Sequence, residues 1–259
     1  MLNTLRADFY RLFRTKGFYI IQIVLIFVVF LSVATETIGS NGLQIDELSQ
    51  LQIAIDELTW TAAHVIPAMS MMSSFLFYFC LPLLTLTIGY DLIHSTNKNL
   101  LTSGVSRLNF FVSKYLVFVV VSTCQLFFYY AVAFLTASIK NGIGEFGDGF
   151  MTNFLRTFSI QALSLQAVFA VAIWVLYLLF SNVGAVITVI IFPLIISILQ
   201  MLFQNVSFLN YIGFQSNMET AWIAAIGPEH YWLKVAVSCI LFILLMLTIS
   251  YQVFRRKNL

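Results

Sequence analysis

Charge is what this sequence has least of. Asp, Glu, Lys and Arg supply 9% of its 259 residues, while apolar types supply 60% and mean hydropathy is +0.93. Soluble domains carry about 25% charged residues, so a soluble globule is excluded. Cysteine is scarce as well: Cys80, Cys124 and Cys239 all fall in apolar runs. They form no disulfide framework or metal-ligand spacing and read as small apolar packing residues. The three histidines, His64, His94 and His230, lie between apolar runs, and no HExxH occurs. A metal-dependent membrane protease needs such ligands at fixed spacing, and a serine nucleophile needs a base within hydrogen-bond reach. Catalysis within the membrane is therefore not expected, and neither is a bound metal.

What the chain does have is six apolar stretches, near residues 18–35, 69–90, 115–139, 158–180, 183–203 and 232–253. Each approaches the ~20 residues that cross a bilayer core as helix. Helix is required because backbone amides in hydrocarbon must bond within their own segment. The expected fold is an all-α integral membrane protein, a single transmembrane domain over residues 1–259. The first stretch is too long for the ~7–15-residue apolar core of a signal peptide, so it is read as a retained span.

The ionisable residues sort by loop. One set holds Arg6, Arg11, Arg14, Lys16, Lys98, Arg107, Lys114, Arg255, Arg256 and Lys257 against only Asp8 and Asp91. The other holds Lys140, Arg156 and Lys234 against Glu36, Asp46, Glu47, Asp56, Glu57, Glu145, Asp148, Glu219 and Glu229. Lys and Arg resist translocation, which places the basic set and both termini in the cytoplasm. The formal net charge of +2 carries no implication of nucleic acid, because the basic residues track the membrane boundary.

Three extramembrane stretches have a pattern of their own. Leu2, Leu5, Phe9, Leu12 and Phe13 recur at helical spacing among Arg6, Arg11 and Arg14. That suits a helix over residues 1–16 lying in the cytoplasmic interface against lipid, the alternative being a flank that prolongs the first span. Ile45, Leu48, Leu51, Ile55 and Leu58 line one face of an amphipathic helix in the first outer loop. Residues 205–231 are too apolar for a free loop and too short for two spans, so short helices dipping into the outer leaflet are expected. The triplet Asn205-Val206-Ser207 is a weak glycosylation signal.

No span carries a charge near its centre. Ion-coupled carriers usually need ionisable groups at depth, so this pattern argues against one. Gln161, Gln166, Ser197 and Gln200 are uncharged polar residues within spans. They either line a translocation path or bond helix to helix.

Between the second and third spans the chain reads "NKNLLTSGVSR", then "SK" at the opening of the third span. Lys98 to Leu101 can form a helical turn, Gly104 can end it by adopting positive φ, and Ser106 can cap the helix that follows. With the basic amphipathic start and the six spans, this segment resembles membrane subunits of ATP-binding-cassette transporters of the type 2 exporter class. Bacterial peptide or drug export and immunity permeases are of this kind. The layout covers nearly the whole chain, the motif about a tenth of it.

The resemblance implies a short cytoplasmic coupling helix that fits a groove on a separate ATPase subunit. Its contact residues would be Asn97, Lys98, Leu100, Leu101, Gly104, Ser106 and Arg107. ATP and Mg would belong to that partner, since no Gly-x-x-x-x-Gly-Lys-Ser/Thr occurs here. The resemblance also implies a second permease copy, identical or related, and an amphipathic or hydrophobic substrate such as an antimicrobial peptide or a drug. Two other classes stay open: an energy-independent channel or ion-coupled carrier, and a membrane sensor or structural protein.

Overall fold

The computed structural model describes residues 2–38, 59–93, 104–203, 206–227 and 229–256. The expected amphipathic helix around Ile45–Leu58, the turn at Lys98–Leu101 and Asn205 of the Asn205-Val206-Ser207 triplet lie outside them. The described residues are helical, with no strand among them, and six helices are long and apolar enough to cross a membrane. The protein is an all-α, multi-pass integral membrane protein.

Helix α1 (Leu2–Arg14) meets α2 (Lys16–Thr35) at the single residue Thr15. The Thr15 hydroxyl donates to the Arg11 carbonyl at 2.9 Å, and its amide to Leu12 at 3.1 Å. The second span is broken. Helix α3 (Ala62–Met71) is followed by a 3-10 turn (Ser73–Phe75), α4 (Leu76–Leu84), a π turn (Thr85–Gly89) and α5 (Tyr90–Ile93). Helix α6 (Arg107–Asn141) is about 52 Å long at 1.5 Å per residue. It overshoots a ~30 Å hydrocarbon core. Helices α7 (Phe150–Leu179) and α8 (Asn182–Leu202) follow, then three one-and-a-half-turn helices, α9 (Ser207–Ile212), α10 (Phe214–Glu219) and α11 (Ala221–Ile226). Helix α12 (Glu229–Arg256) closes the chain.

Two differences from the sequence reading have physical causes. A short apolar helix precedes the second span, because Ala62–Ile66 continues the apolar run across Pro67, and Pro67 is accommodated within α3. The third span begins eight residues sooner, at Arg107, where the Ser106 hydroxyl accepts from the Asn109 amide at 3.3 Å.

Helix α7 is the axis. Its faces carry Ala167, Ala170, Ala172 and Ser164, all buried, and small side chains let neighbouring backbones approach. Helices α8, α10, α11 and α12 pack on it, while α1, α2, α3 and α4 pack on α6. The two groups interlock through Phe169 of α7, whose ring lies 5.0 Å from Phe118 and 6.4 Å from Phe77. Gln166 of α7 also donates to the Ser122 hydroxyl at 2.6 Å. Helices α2, α8 and α12 leave broad apolar faces exposed, among them Ile23, Phe27, Val183, Met201 and Leu241. Such faces are stable only against lipid or another apolar surface.

At one end the chain closes on itself. Lys140 donates to Glu36 at 2.7 Å, Asn141 to the Trp60 carbonyl at 2.9 Å, and the amides of Ala62 and Ala63 to the carbonyls of Gly142 and Ile143. Hydrogen bonds from Lys140 and Asn141 hold the Glu36 carboxyl below its usual range. On α10, Glu219 is half-buried, accepts from Gln215 at 3.3 Å, and desolvation pushes its carboxyl above the usual glutamate range. The folded state thus holds a proton that the unfolded chain has released, so stability is greatest below the ordinary glutamate value and falls as pH rises through the folded one. Glu219→Gln is expected to flatten this decline in detergent melts between pH 4.5 and 8. The variant should match the parent at the acid end and exceed it at the alkaline end. Parallel pH profiles would contradict the assignment.

Candidate functional site

At the opposite end, where α1 begins and α12 finishes, four charged side chains from three helices meet. Asp8 and Arg11 share one side of α1, three residues apart. Asp91 stands on α5 and Lys114 on the second turn of α6. The Lys114 ammonium donates to Asp8 Oδ1 at 2.5 Å and to Asp91 Oδ2. Arg11 grips Asp91 with both nitrogens, at 2.7 and 3.0 Å, and approaches Asp8 at 3.5 Å. Lys114 is 1% exposed and Asp91 3%, Asp8 is buried as well, and Arg11 is half-buried at the rim, so three of the four ions in this quartet are buried. Its formal charges cancel. A buried ion costs several kcal/mol unless paired, and here each cation meets both anions.

The quartet is seated by the break in the second span. The π turn Thr85–Gly89 leaves the carbonyls of Leu86 and Thr87 facing Arg11 Nη2 at 3.3 and 3.4 Å. The Arg11 guanidinium also lies 5.0 Å from the Tyr90 ring centre. Interruptions of this kind gather at functional sites. Asp8 is the weaker anion: its Oδ2 is buried without a hydrogen bond, and desolvation raises its carboxyl despite Lys114 and Arg11.

Beside the charges lies an aromatic cluster. Phe111 and Tyr177 are 5.2 Å apart, Tyr177 and Phe254 5.0 Å, and Phe110 and Phe254 5.8 Å. Arg107 Nη1 donates to the Arg255 carbonyl at 2.6 Å. The root of α6 is therefore fixed to α1 and α5 on one side and to α7 and α12 on the other.

Of the sequence-derived site residues, Gly104, Ser106 and Arg107 stand together at this end. Gly104 has φ +93°, a left-handed conformation suited to glycine. Asn97, Lys98, Leu100 and Leu101 are outside the described residues. Asp91 and Lys114, which flank that segment on either side, are joined directly by an ion pair. Whatever form residues 94–103 take, their two roots are clamped to each other and to α1.

The polar residues of the spans separate into two places. Gln161 is fully buried, donating to Ser70 and Ser73 hydroxyls at 2.9 and 3.0 Å and to the Met218 carbonyl at 3.1 Å, and accepting from Tyr130 at 2.7 Å. Gln166 bonds Ser122, as described. Ser197 and Gln200 lie on α8, where Ser197 donates to the Pro193 carbonyl and Gln200 to that of Leu209 on α9.

Sequence reasoning missed the quartet by counting Asp8 and Lys114 as solvated boundary charges. The signal was there. Asp8 occupies an apolar-stripe position in Leu5-Asp8-Phe9-Leu12, and Lys114 does so in Phe110-Lys114-Val117-Phe118-Val121. A charge on the buried face of a helix requires a partner.

Six spans, a clamped terminal end and a braced opposite end define a multi-pass membrane protein whose ends, rather than its centre, hold its ionic contacts. A family model described as "ABC-2 family transporter protein" matches residues 4–200, more than half of the chain, and the chain belongs to this family. Its members are the membrane subunits of ATP-binding-cassette transporters, not the ATPase, and work with ATPase subunits. No curated protein and no solved structure matches the chain.

Proposed function

We propose that this chain is the permease of an ATP-driven exporter, with both termini cytoplasmic and the quartet serving as the joint through which an ATPase moves the spans. The observation that carries the reading is Lys114 bridging Asp8 and Asp91, which ties both roots of residues 94–103 to the interfacial helix α1. A push on that segment then moves α1, α5 and α6 as one body. The contact with the ATPase is formed by Asn97, Lys98, Leu100, Leu101, Gly104, Ser106 and Arg107, and ATP with Mg is bound by the partner. Two permease subunits, the same or related, enclose the path. Gln161, Gln166, Ser197 and Gln200 are its candidate polar positions. The apolar character of the spans favours an amphipathic or hydrophobic cargo, an antimicrobial peptide or a drug, exported across a bacterial cell membrane.

Affinity purification from native membranes tests this. The parent chain is expected to bring down an ATPase, and Leu100→Ala, Leu101→Ala and Arg107→Ala to reduce its yield several-fold at unchanged permease level. Leu100 and Leu101 are the more telling pair, because Arg107 also braces α12. Undiminished ATPase in all three variants would refute the contact.

A further inference from the structure

Between α1, α2 and α6 lies a cleft of about 360 Å³, lined in part by residues that neighbour Asp8 and Arg11 in the chain. Phe9, Phe13 and Phe18 line one part of it and Val121, Cys124 and Gln125 another. The volume lies within the ~300–1,000 Å³ of sites that hold small molecules. Its one polar feature is a glutamine pair: Gln22 Nε2 donates to Gln125 Oε1 at 2.6 Å. Gln125 is 3% exposed, and its Nε2 is buried with no hydrogen-bond partner. An orphaned amide donor in an apolar setting is costly, and an acceptor brought by an occupant would relieve it.

We propose that this cleft is a binding site for one anionic phospholipid, distinct from the transport path and from the ATPase contact. An acyl chain fills the aromatic-lined space, and an ester carbonyl accepts from Gln125 Nε2 once that side chain turns toward the cleft. The phosphate meets the exposed cations Arg14 and Lys16, which lie in the chain between the lining residues Phe13 and Phe18, and Arg14 exchanges its 2.8 Å hydrogen bond to Tyr10 for it. Three observations select this occupant over a purely apolar one. The buried donor lacks an acceptor, the walls are otherwise apolar, and two exposed cations occur in the chain between wall residues Phe13 and Phe18, where a headgroup phosphate is attracted. The cleft also spans the seam between α1 and α2, so an occupant would stiffen the helix that carries Asp8 and Arg11.

Native mass spectrometry of the intact chain released from mild detergent tests the site. The parent is expected to retain one phospholipid, and added phosphatidylglycerol to occupy it ahead of phosphatidylcholine. Cys124→Trp fills the cleft and should abolish retention. The double change Gln22→Leu and Gln125→Leu removes both amides without leaving an orphan, so the fold should be kept. Its retention should fall by about two- to tenfold, as one net hydrogen bond implies. Arg14→Gln with Lys16→Gln should erase the preference for phosphatidylglycerol. Leu241→Trp, on the exposed face of α12, should retain lipid like the parent. Equal retention in parent and Cys124→Trp overturns the site, and so does a retained mass that is not a phospholipid. ATPase co-purification is a separate readout, so failure of the permease reading would leave lipid retention unchanged.

Discussion

Lys114→Met is expected to destabilise the protein by about 3–5 kcal/mol, the cost of breaking a buried ion pair by removing one partner. The methionine fills the same space, but Asp8 is left with only the 3.5 Å approach of Arg11. Asp91 keeps its two-pronged Arg11 contact. The damage therefore concentrates on Asp8, and the second-site variants should be unequal. Adding Asp8→Asn to Lys114→Met should restore most of the loss, whereas adding Asp91→Asn should not, since it deprives Arg11 of its main partner. The pH dependence has a definite sign. Burial already raises the Asp8 carboxyl, and losing Lys114 raises it further. The folded variant then holds a proton that the folded parent gives up, so its deficit against the parent widens as pH rises through the parent's already raised Asp8 value. Thermal unfolding in detergent between pH 4 and 8 measures this. A Lys114→Met chain that melts like its parent at every pH would show that the quartet bears no load.

Gln161→Leu should produce the next largest effect, at the other end of α7. One amide there serves Ser70, Ser73, the Met218 carbonyl and the Tyr130 hydroxyl. It ties α3, the 3-10 turn, α6 and α10 to the axial helix. Leucine matches its volume and satisfies none of them. The buried Tyr130 hydroxyl then keeps only its contact with Ser70, and the loss of its bond to Gln161 together with the lost amide donor is expected to cost about 1–3 kcal/mol. Tyr130→Phe on its own should be milder, and the Tyr130→Phe, Gln161→Leu pair less damaging than the sum of the singles. The shortfall is the coupling, ~0.5–3 kcal/mol for residues in one network. Strict additivity in denaturation would rule out the shared bond.

The spans were legible because apolar composition over about 20 residues leaves helix as the only solution. Their ends were less so. Pro67 reads as a boundary in sequence yet sits inside α3, and the start of α6 depends on Ser106 rather than on hydropathy. The π turn at Thr85–Gly89 had no local signature, for the carbonyls it frees are answered by Arg11, 75 and 76 residues away. The same distance hid the candidate site. Asp8, Asp91 and Lys114 each stand near a boundary where charge is ordinary, and only their positions on apolar stripes set them apart. Glutamines in spans were readable as polar and nothing more, since Gln161 and Gln200 differ only in what surrounds them.

The pairing of Asp8 with Lys114 also constrains the order of assembly. The two residues are 106 positions apart, with two whole spans between them. Until α6 is made, the Asp8 carboxylate has only Arg11 of its own helix to meet. It settles only once the third crossing has been threaded and delivers the lysine. The final seat of the first helix is thus set by a residue made long after it.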